Sequence, residues 1–341
     1  MKTEKEKEEH YKRYGWKCNE KNLETLPSSA PESAKKLTQW LTLAGRKSSL
    51  EEWLGVLGAD GKIHGTFWHI GAWTHRMSHS KPNQANIPSV WPAEVSPKNA
   101  VEEIKEEYDS KLRECFEASP WLVGTDAEGI QLRILAHLMN SPTYIKAVEE
   151  GDKDLGTDVH TLNMKSLGSV CRSRDAAKTF IYAWILGASN PKIAEILECT
   201  SAQAKEAVNN FLEALPELKK LKDFQVKRDA KRGYFVGLDG RKVPCTSEHL
   251  MLAGYLQNGE AVVMKHATIE WLSQLEKTSI DFSLLNLVHD EWQTRVGGSF
   301  SDAEYVGQAQ VKALEDTGKK LNLNIKITGQ YSVGKNWKET H

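Results

Sequence analysis

Cysteine is scarce and scattered: five occur in 341 residues (Cys18, Cys115, Cys171, Cys199 and Cys245), with no Cys-x-x-Cys pair. A zinc ribbon, a thioredoxin-like redox motif and a disulfide-stapled secreted module are thereby excluded. No stretch reaches the roughly eighteen apolar residues that a membrane span needs. Met1 to Arg13 is a lysine/glutamate run, not the apolar core of a secretory signal. Charge of one sign is also missing. The 45 basic residues face 46 acidic ones, without the basic excess usual for a nucleic-acid binder. The expectation is a soluble, cytoplasmic protein with no membrane partner, long enough for two or three domain-sized units.

The near-neutral average hides an asymmetry. Between His160 and Cys245 there are 15 Lys/Arg and 9 Asp/Glu. Lys219-Lys220, Lys222, Lys227-Arg228, Lys231-Arg232 and Arg241-Lys242 make that window either a phosphate-facing surface or a set of solvated helix faces. Charge alone does not separate the two.

Periodicity gives the organisation. Glu32–Leu43 and Ser49–Leu57 read as two helices divided by Gly45 and Ser48-Ser49. Gly61–Pro92, rich in Gly and Pro, reads as short strands and loops. A charged helix spans roughly Asn99–Phe116, with Ile104, Tyr108, Leu112, Cys115 and Phe116 on one side. Trp121–Thr125 is an apolar strand ending at Asp126, and Gly129–Met139 a helix. Further helices are expected at Asp175–Leu186, across Ser201–Arg232 and at His249–Leu275. Gly233–Val243 reads as a strand pair, and Phe282–Val296 as a hairpin bending at His289-Asp290-Glu291.

Three constellations carry chemistry. Asp126 sits where a strand meets a helix, as a hard-cation ligand or as an ordinary helix cap. Asp290 and Glu291 lie at a hairpin bend after an apolar run, as oxygen ligands or as an acidic turn. Arg174, Lys178 and Tyr182 recur at i, i+4 and i+8, so two cations and a ring share one helical stripe. That stripe suits a nucleotide polyphosphate, or it snorkels on a surface. Together, two carboxylates on neighbouring strands and a cationic helix are the parts of two-metal phosphoryl transfer.

These residues resemble the family A DNA polymerases, the DNA polymerase I-like enzymes, in their phage replicative branch. Asp126-Ala-Glu-Gly-Ile-Gln-Leu-Arg-Ile-Leu-Ala-His137 resembles motif A, Arg174-Asp-Ala-Ala-Lys-Thr-Phe-Ile-Tyr182 motif B, and Val288-His-Asp-Glu291 motif C. Thr74-His-Arg76 and Pro82-Asn-Gln-Ala-Asn-Ile-Pro88 are similar to the elements that hold the primer-template minor groove. Gly237–Val243, Leu256-Gln257 and Gly334-Lys-Asn-Trp337 follow in the family's order, and the match runs from about Tyr11 to the end.

The resemblance implies an α+β right-hand polymerase fold. A partial thumb would occupy residues 1–60, an antiparallel-sheet palm 61–139 and 233–341, and helical fingers 140–232. It implies template-directed addition of dNMP to a primer 3′-OH. Asp126, Asp290 and the Ala127 carbonyl would hold two Mg2+ ions. Arg174, Lys178 and His160 would meet the triphosphate, with Lys178 protonating the leaving pyrophosphate. Tyr182 and Gln131 would face the incoming sugar. Arg76, Asn83, Asn86, Gln257, His289 and Glu291 would touch DNA.

Three departures stand out. Gln131 replaces the glutamate that acts in the family as a steric gate against ribose, and Leu186 replaces a tyrosine bonded to that glutamate. Losing both avoids stranding one polar group, and the volume of Gln131 implies that ribonucleotides stay excluded. No exonuclease motif precedes the thumb, which implies the C-terminal half of a split polymerase completed by a separate N-terminal polypeptide, or else a fragment. Two rivals remain at this stage, a single-subunit RNA polymerase and a non-catalytic DNA-binding remnant.

Overall fold

Most helices begin at a Ser, Thr, Asp or Asn cap or with a proline in the first turn. The structure, a computed structural model, describes Leu23 and residues 29–92, 95–97 and 99–341. The lysine/glutamate run, Tyr11 and Cys18 lie outside the described residues. Contacts divide the chain into two units: residues 1–66, 79–117 and 336–338, and residues 67–78, 118–335 and 339–341.

In the first unit, α1 (Glu32–Gly55) packs on α2 (Ala100–Glu114). The expected break at Gly45 does not occur. A glycine inside an exposed helix costs about 1 kcal/mol relative to alanine, too little to end a helix of 24 residues. Short strands β1 (Thr66–Trp68) and β2 (Ser78–Ser80) and a 3-10 turn at Gln84–Asn86 fall in the Gly/Pro-rich stretch, as expected. The side that carries Ile104, Tyr108, Leu112, Cys115 and Phe116 is buried only in part, at Leu112. Tyr108 is exposed while Asp109 is buried, because the Arg46 Nε and Nη2 donate to the Asp109 carboxylate at 2.7 and 3.1 Å. Trp53, Phe116 and Trp337 stack edge to face at 4.9 and 5.7 Å. Arg113 lies 4.7 Å over Trp337 and donates to the Pro88 carbonyl.

The second unit is built on a four-stranded sheet. Strand β3 (Glu117–Ala127) is followed by helices α3 (Ile130–Met139), α4 (Pro142–Glu149), α5 (Val159–Leu167), α6 (Arg174–Ile185), α7 (Asn190–Ile196) and α8 (Ser201–Ala214). The helical stretch expected to run through to Arg232 is interrupted: α9 (Pro216–Lys220) restarts at a proline, Leu221–Val226 forms a π-helix, and α10 (Lys227–Arg232) closes it. Hairpin β4 (Tyr234–Val236) and β5 (Lys242–Pro244) leads into α11 (Glu248–Leu275). Then come β6 (Asp281–Val288), β7 (Glu291–Gly297), α12 (Phe300–Lys320) and β8 (Gly329–Asn336).

The sheet order is β6-β7-β3-β8. α11 packs against both α3 and α12, so it is apolar nearly all round, as a helix enclosed by neighbours must be. The α6–α8 region has its own aromatic nucleus: Phe180, Trp184 and Phe211 lie within 5.2–6.3 Å of one another. Ile181 and Ile185 are buried on the inner face of α6. Among the described residues no helix is long and apolar enough to cross a membrane.

Candidate active site

Asp126 is the penultimate residue of β3, directly opposite Glu291 in the antiparallel pairing with β7. Asp290 stands in the two-residue turn joining β6 to β7, next to His289, whose φ of +56° is the left-handed value such a tight turn demands. The Ala127 N–H donates to the Asp290 carbonyl at 2.9 Å. Motifs more than 160 positions apart in sequence are thus joined at the backbone, and both carboxylates belong to one corner of the sheet.

That corner is electrostatically loaded. Desolvation by the surrounding protein, and then the charge of Glu291, raise Asp126 to about 6. Burial, Glu260 and Asp126 raise Asp290 to about 8. Glu291 itself is buried: Gln293 Nε2 donates to it at 2.5 Å, and His341 Nδ1 lies 3.0 Å from its other oxygen. Thr340 donates to Gln293 at 2.8 Å. This crossing needs Gly124, where a Cβ would fall 2.0 Å from the Thr340 carbonyl oxygen.

Of the stripe on α6, Tyr182 is the residue that feels the charges of this corner. Tyr182 is half-buried, and its hydroxyl is raised by burial and then by the charges of Asp290 and Asp126. Lys178 is exposed, and no ion pair to it occurs among the described residues. Arg174 is already engaged: Nε and Nη2 lie 3.1 and 2.9 Å from Asp158 Oδ1. Asp158 caps α5 by accepting from the His160 N–H. Burial opposes ionisation of Asp158, but the bonds from Arg174 and Thr161 outweigh it and hold it at about 2. His160 is buried beside Tyr182, ring centroids 6.2 Å apart. Burial, then the charge of Arg174, push His160 down to about 4, and its Nδ1 is buried without a partner.

A strap, residues 67–78, brings Arg76 to this corner. α11 anchors it: Lys265 Nζ donates to the His69 and His75 carbonyls at 2.6 and 2.7 Å, and Asn258 Nδ2 to the Thr74 carbonyl at 3.2 Å. Gly254 admits the Trp73 ring, which a Cβ would approach to 2.7 Å. Partial desolvation and then the Arg76 charge lower His289. Gln257 is half-buried on α11. Asn83 and Asn86 belong to the first unit, where Asn83 Oδ1 accepts from the Ala85 N–H.

Sequence reasoning missed Glu260. It is 1 % exposed, and its Oε2 accepts from both Arg76 Nη2 (2.5 Å) and Gln131 Nε2 (2.8 Å). Gln131 therefore has a partner, on α11, while Leu186 at the end of α6 is exposed. The signal was available: between Met251 and Met264 Glu260 is the only charged residue, and a lone charge in an enclosed helix is almost always paired.

Asp126, Asp290 and the Ala127 backbone offer oxygen donors only, the chemistry of a hard cation. Among the described residues no cluster of three or more His, Cys, Asp or Glu side chains is arranged to hold a metal ion.

A family model described as DNA polymerase family A matches residues 1–339. The DNA-directed DNA polymerase of Enterobacteria phage T3 is 31 % identical over 321 residues, which cover 85 % of this chain and 42 % of that protein. The DNA-directed DNA polymerase of Escherichia phage T7 is 31 % identical over 322 residues, with the same coverage. The chain thus spans 42 % of the length of these phage relatives. A solved structure, the POL domain of Pol1 from M. smegmatis in complex with DNA primer-template and dNTP, superposes with a TM-score of 0.74 at 20 % identity. It covers 90 % of this chain and 53 % of that one, and the likeness gives the fold: a right-hand polymerase domain.

Proposed function

The chain belongs to DNA polymerase family A, and from that premise we propose that it extends a primer 3′-OH along a DNA template by adding dNMP from dNTPs. The observation that carries the reading is the backbone bond between Ala127 and Asp290, which joins two carboxylate-bearing motifs at one sheet corner, within electrostatic reach of Tyr182 on α6. Residues 61–139 and 233–341 are then the palm, 140–232 the fingers and 1–60 part of the thumb, working in the cytoplasm, the host's if a phage encodes the chain.

The donor set fits magnesium. Both side chains supply oxygen alone, and each carboxylate is held above its ordinary pKa by burial and like charge, a burden that a divalent cation relieves. Asp126, Asp290 and the Ala127 carbonyl would hold two such ions, which supply charge neutralisation at the attacking and leaving oxygens.

The chain's own side chains do the rest. Lys178 meets the triphosphate and gives a proton to the departing pyrophosphate. Arg174, fixed by Asp158, orients the phosphates, and His160 donates to one of them from its buried position. Tyr182 packs on the incoming sugar, and Gln131 walls its 2′ side. Arg76, Gln257 and His289 line the minor groove of the new pair, with Asn83, Asn86 and Glu291 as further DNA-side residues.

A separate polypeptide would supply the exonuclease and the remaining thumb. Trp40, Leu43, Leu50 and Leu54 form an exposed apolar stripe on α1 suited to receive it. Elution of the two polypeptides as independent species in size exclusion would remove that partner.

Primer extension with magnesium tests the activity: the wild type should extend and Asp290→Ala should not. Chain initiation without a primer, or equal extension by both proteins, would overturn the reading.

A further inference from the structure

Glu260 belongs to none of the motif residues, yet it lies between the two functional walls of the site. One oxygen, Oε2, receives Gln131 Nε2 at 2.8 Å and Arg76 Nη2 at 2.5 Å. The residue is 1 % exposed and its Oε1 is buried without a partner. A carboxylate of this kind accepts and does not donate, so it fixes which prong of the Gln131 amide faces α11: the NH2 must, and the carbonyl oxygen becomes the free prong. Bonds to a charged acceptor are shorter and roughly twice as strong as neutral ones. The amide is therefore clamped in rotation as well as in place.

Gln131 needs that clamp. It sits in the first turn of α3, after Gly129 at φ +55° and without a side-chain cap, on a long, flexible side chain. Leu186, exposed at the end of α6, offers no hydrogen bond from the opposite side. Among the described residues, Glu260 supplies the only side-chain hydrogen bond to the Gln131 amide. The same oxygen orients Arg76, so a shift at the nucleotide wall is transmitted to the primer wall through one atom.

Resting on the polymerase reading above, we propose that Glu260 is the positioning residue for sugar selection: it holds Gln131 against the 2′ position of the incoming nucleotide and couples that wall to Arg76 at the primer side. The residue touches neither substrate and acts through Gln131.

Single-nucleotide incorporation of matched dNTP and rNTP by the full chain tests it. Glu260→Ala frees the amide and should lower the preference for dNTP roughly ten- to a hundredfold, the scale of one lost bond to a charged group. Glu260→Gln, which preserves volume should the alanine variant not fold, should lower it severalfold. The exchange Gln131→Glu with Glu260→Gln restores a carboxylate–amide pair with the roles reversed, and should recover most of the preference lost in Glu260→Gln. A merely structural role would lower dNTP and rNTP incorporation together. An unchanged dNTP:rNTP ratio in whichever of the two single variants folds, or an exchange variant no better than Glu260→Gln, overturns the proposal while the polymerase reading stands. A wild type that extends no primer overturns both.

Discussion

Ala127 and Asp290 are joined by a backbone hydrogen bond of 2.9 Å between the end of β3 and the β6–β7 turn. Main-chain bonds of this kind tolerate side-chain replacement. The carboxylates on either side can therefore be removed without dismantling the corner that carries them.

Asp126→Asn and Asp290→Asn should each lower the rate of primer extension by about a thousandfold, equivalent to roughly 4 kcal/mol at the transition state. Neither should lower Tm, because each removes a carboxyl whose ionisation burial and neighbouring carboxylates oppose. Magnesium should raise the Tm of the wild type and EDTA reverse it, as binding to the folded state alone requires. In Asp290→Asn that response should shrink. A large loss of Tm in both variants would show that the carboxylates are structural.

Arg174 and Lys178 share a stripe but should fail differently. Arg174→Ala leaves the buried Asp158 without its guanidinium, so stability should drop by about 1–3 kcal/mol along with activity. Lys178 is exposed; Lys178→Ala should keep Tm and lower kcat. Thermal melts beside steady-state kinetics separate the two. Equal Tm in both variants would mean that the Arg174–Asp158 pair does not brace the α5 cap.

His160 should make the protein acid-sensitive above the ordinary carboxylate range. Burial, then Arg174, holds it near 4 when folded, against about 6.5 unfolded. The unfolded chain therefore binds the extra proton first. The stability His160 contributes is complete above pH 6.5 and is lost as pH falls toward 4. Asp158, held at about 2, keeps its contribution through that window and loses it only in stronger acid. Urea midpoints at pH 7 and pH 4.5 should differ less in His160→Gln than in the wild type.

Two glycines should respond with opposite signs. Gly124→Ala drives a Cβ to within 2.0 Å of the Thr340 carbonyl oxygen, and should cost about 1–3 kcal/mol as the crossing segment is forced away. Gly45 has nothing within 4 Å and lies inside α1. Gly45→Ala should stabilise by about 0.5–1 kcal/mol. Denaturant titrations of the two variants decide it.

How far the sequence was legible depended on range. The strand into Asp126, the hairpin around Asp290 and the Arg174–Lys178–Tyr182 stripe were readable because each is a local period ending in a chemically distinctive residue. The burial of Asp109 was not legible, because it depends on Arg46, a long-range pairing that periodicity does not encode. Pro216 interrupts a helical run whose apolar spacing continues through it. Glu260 was overlooked for a related reason. Its partners, Arg76 and Gln131, come from the strap and from α3, and only the assembled site brings three such distant residues onto one oxygen.

The bond between Gln131 and Glu260 also constrains how this chain can change over generations. Introducing glutamate at 131 by itself would confront one carboxylate with another at hydrogen-bonding distance. Removing Glu260 by itself would strand an arginine and an amide. Either single step leaves a buried polar group unpaired or two carboxylates face to face, whereas the paired exchange keeps an amide opposite a carboxylate. Drift at these two positions is therefore expected to be concerted, and an ancestral reconstruction of one site alone should yield a poorer protein than either end point.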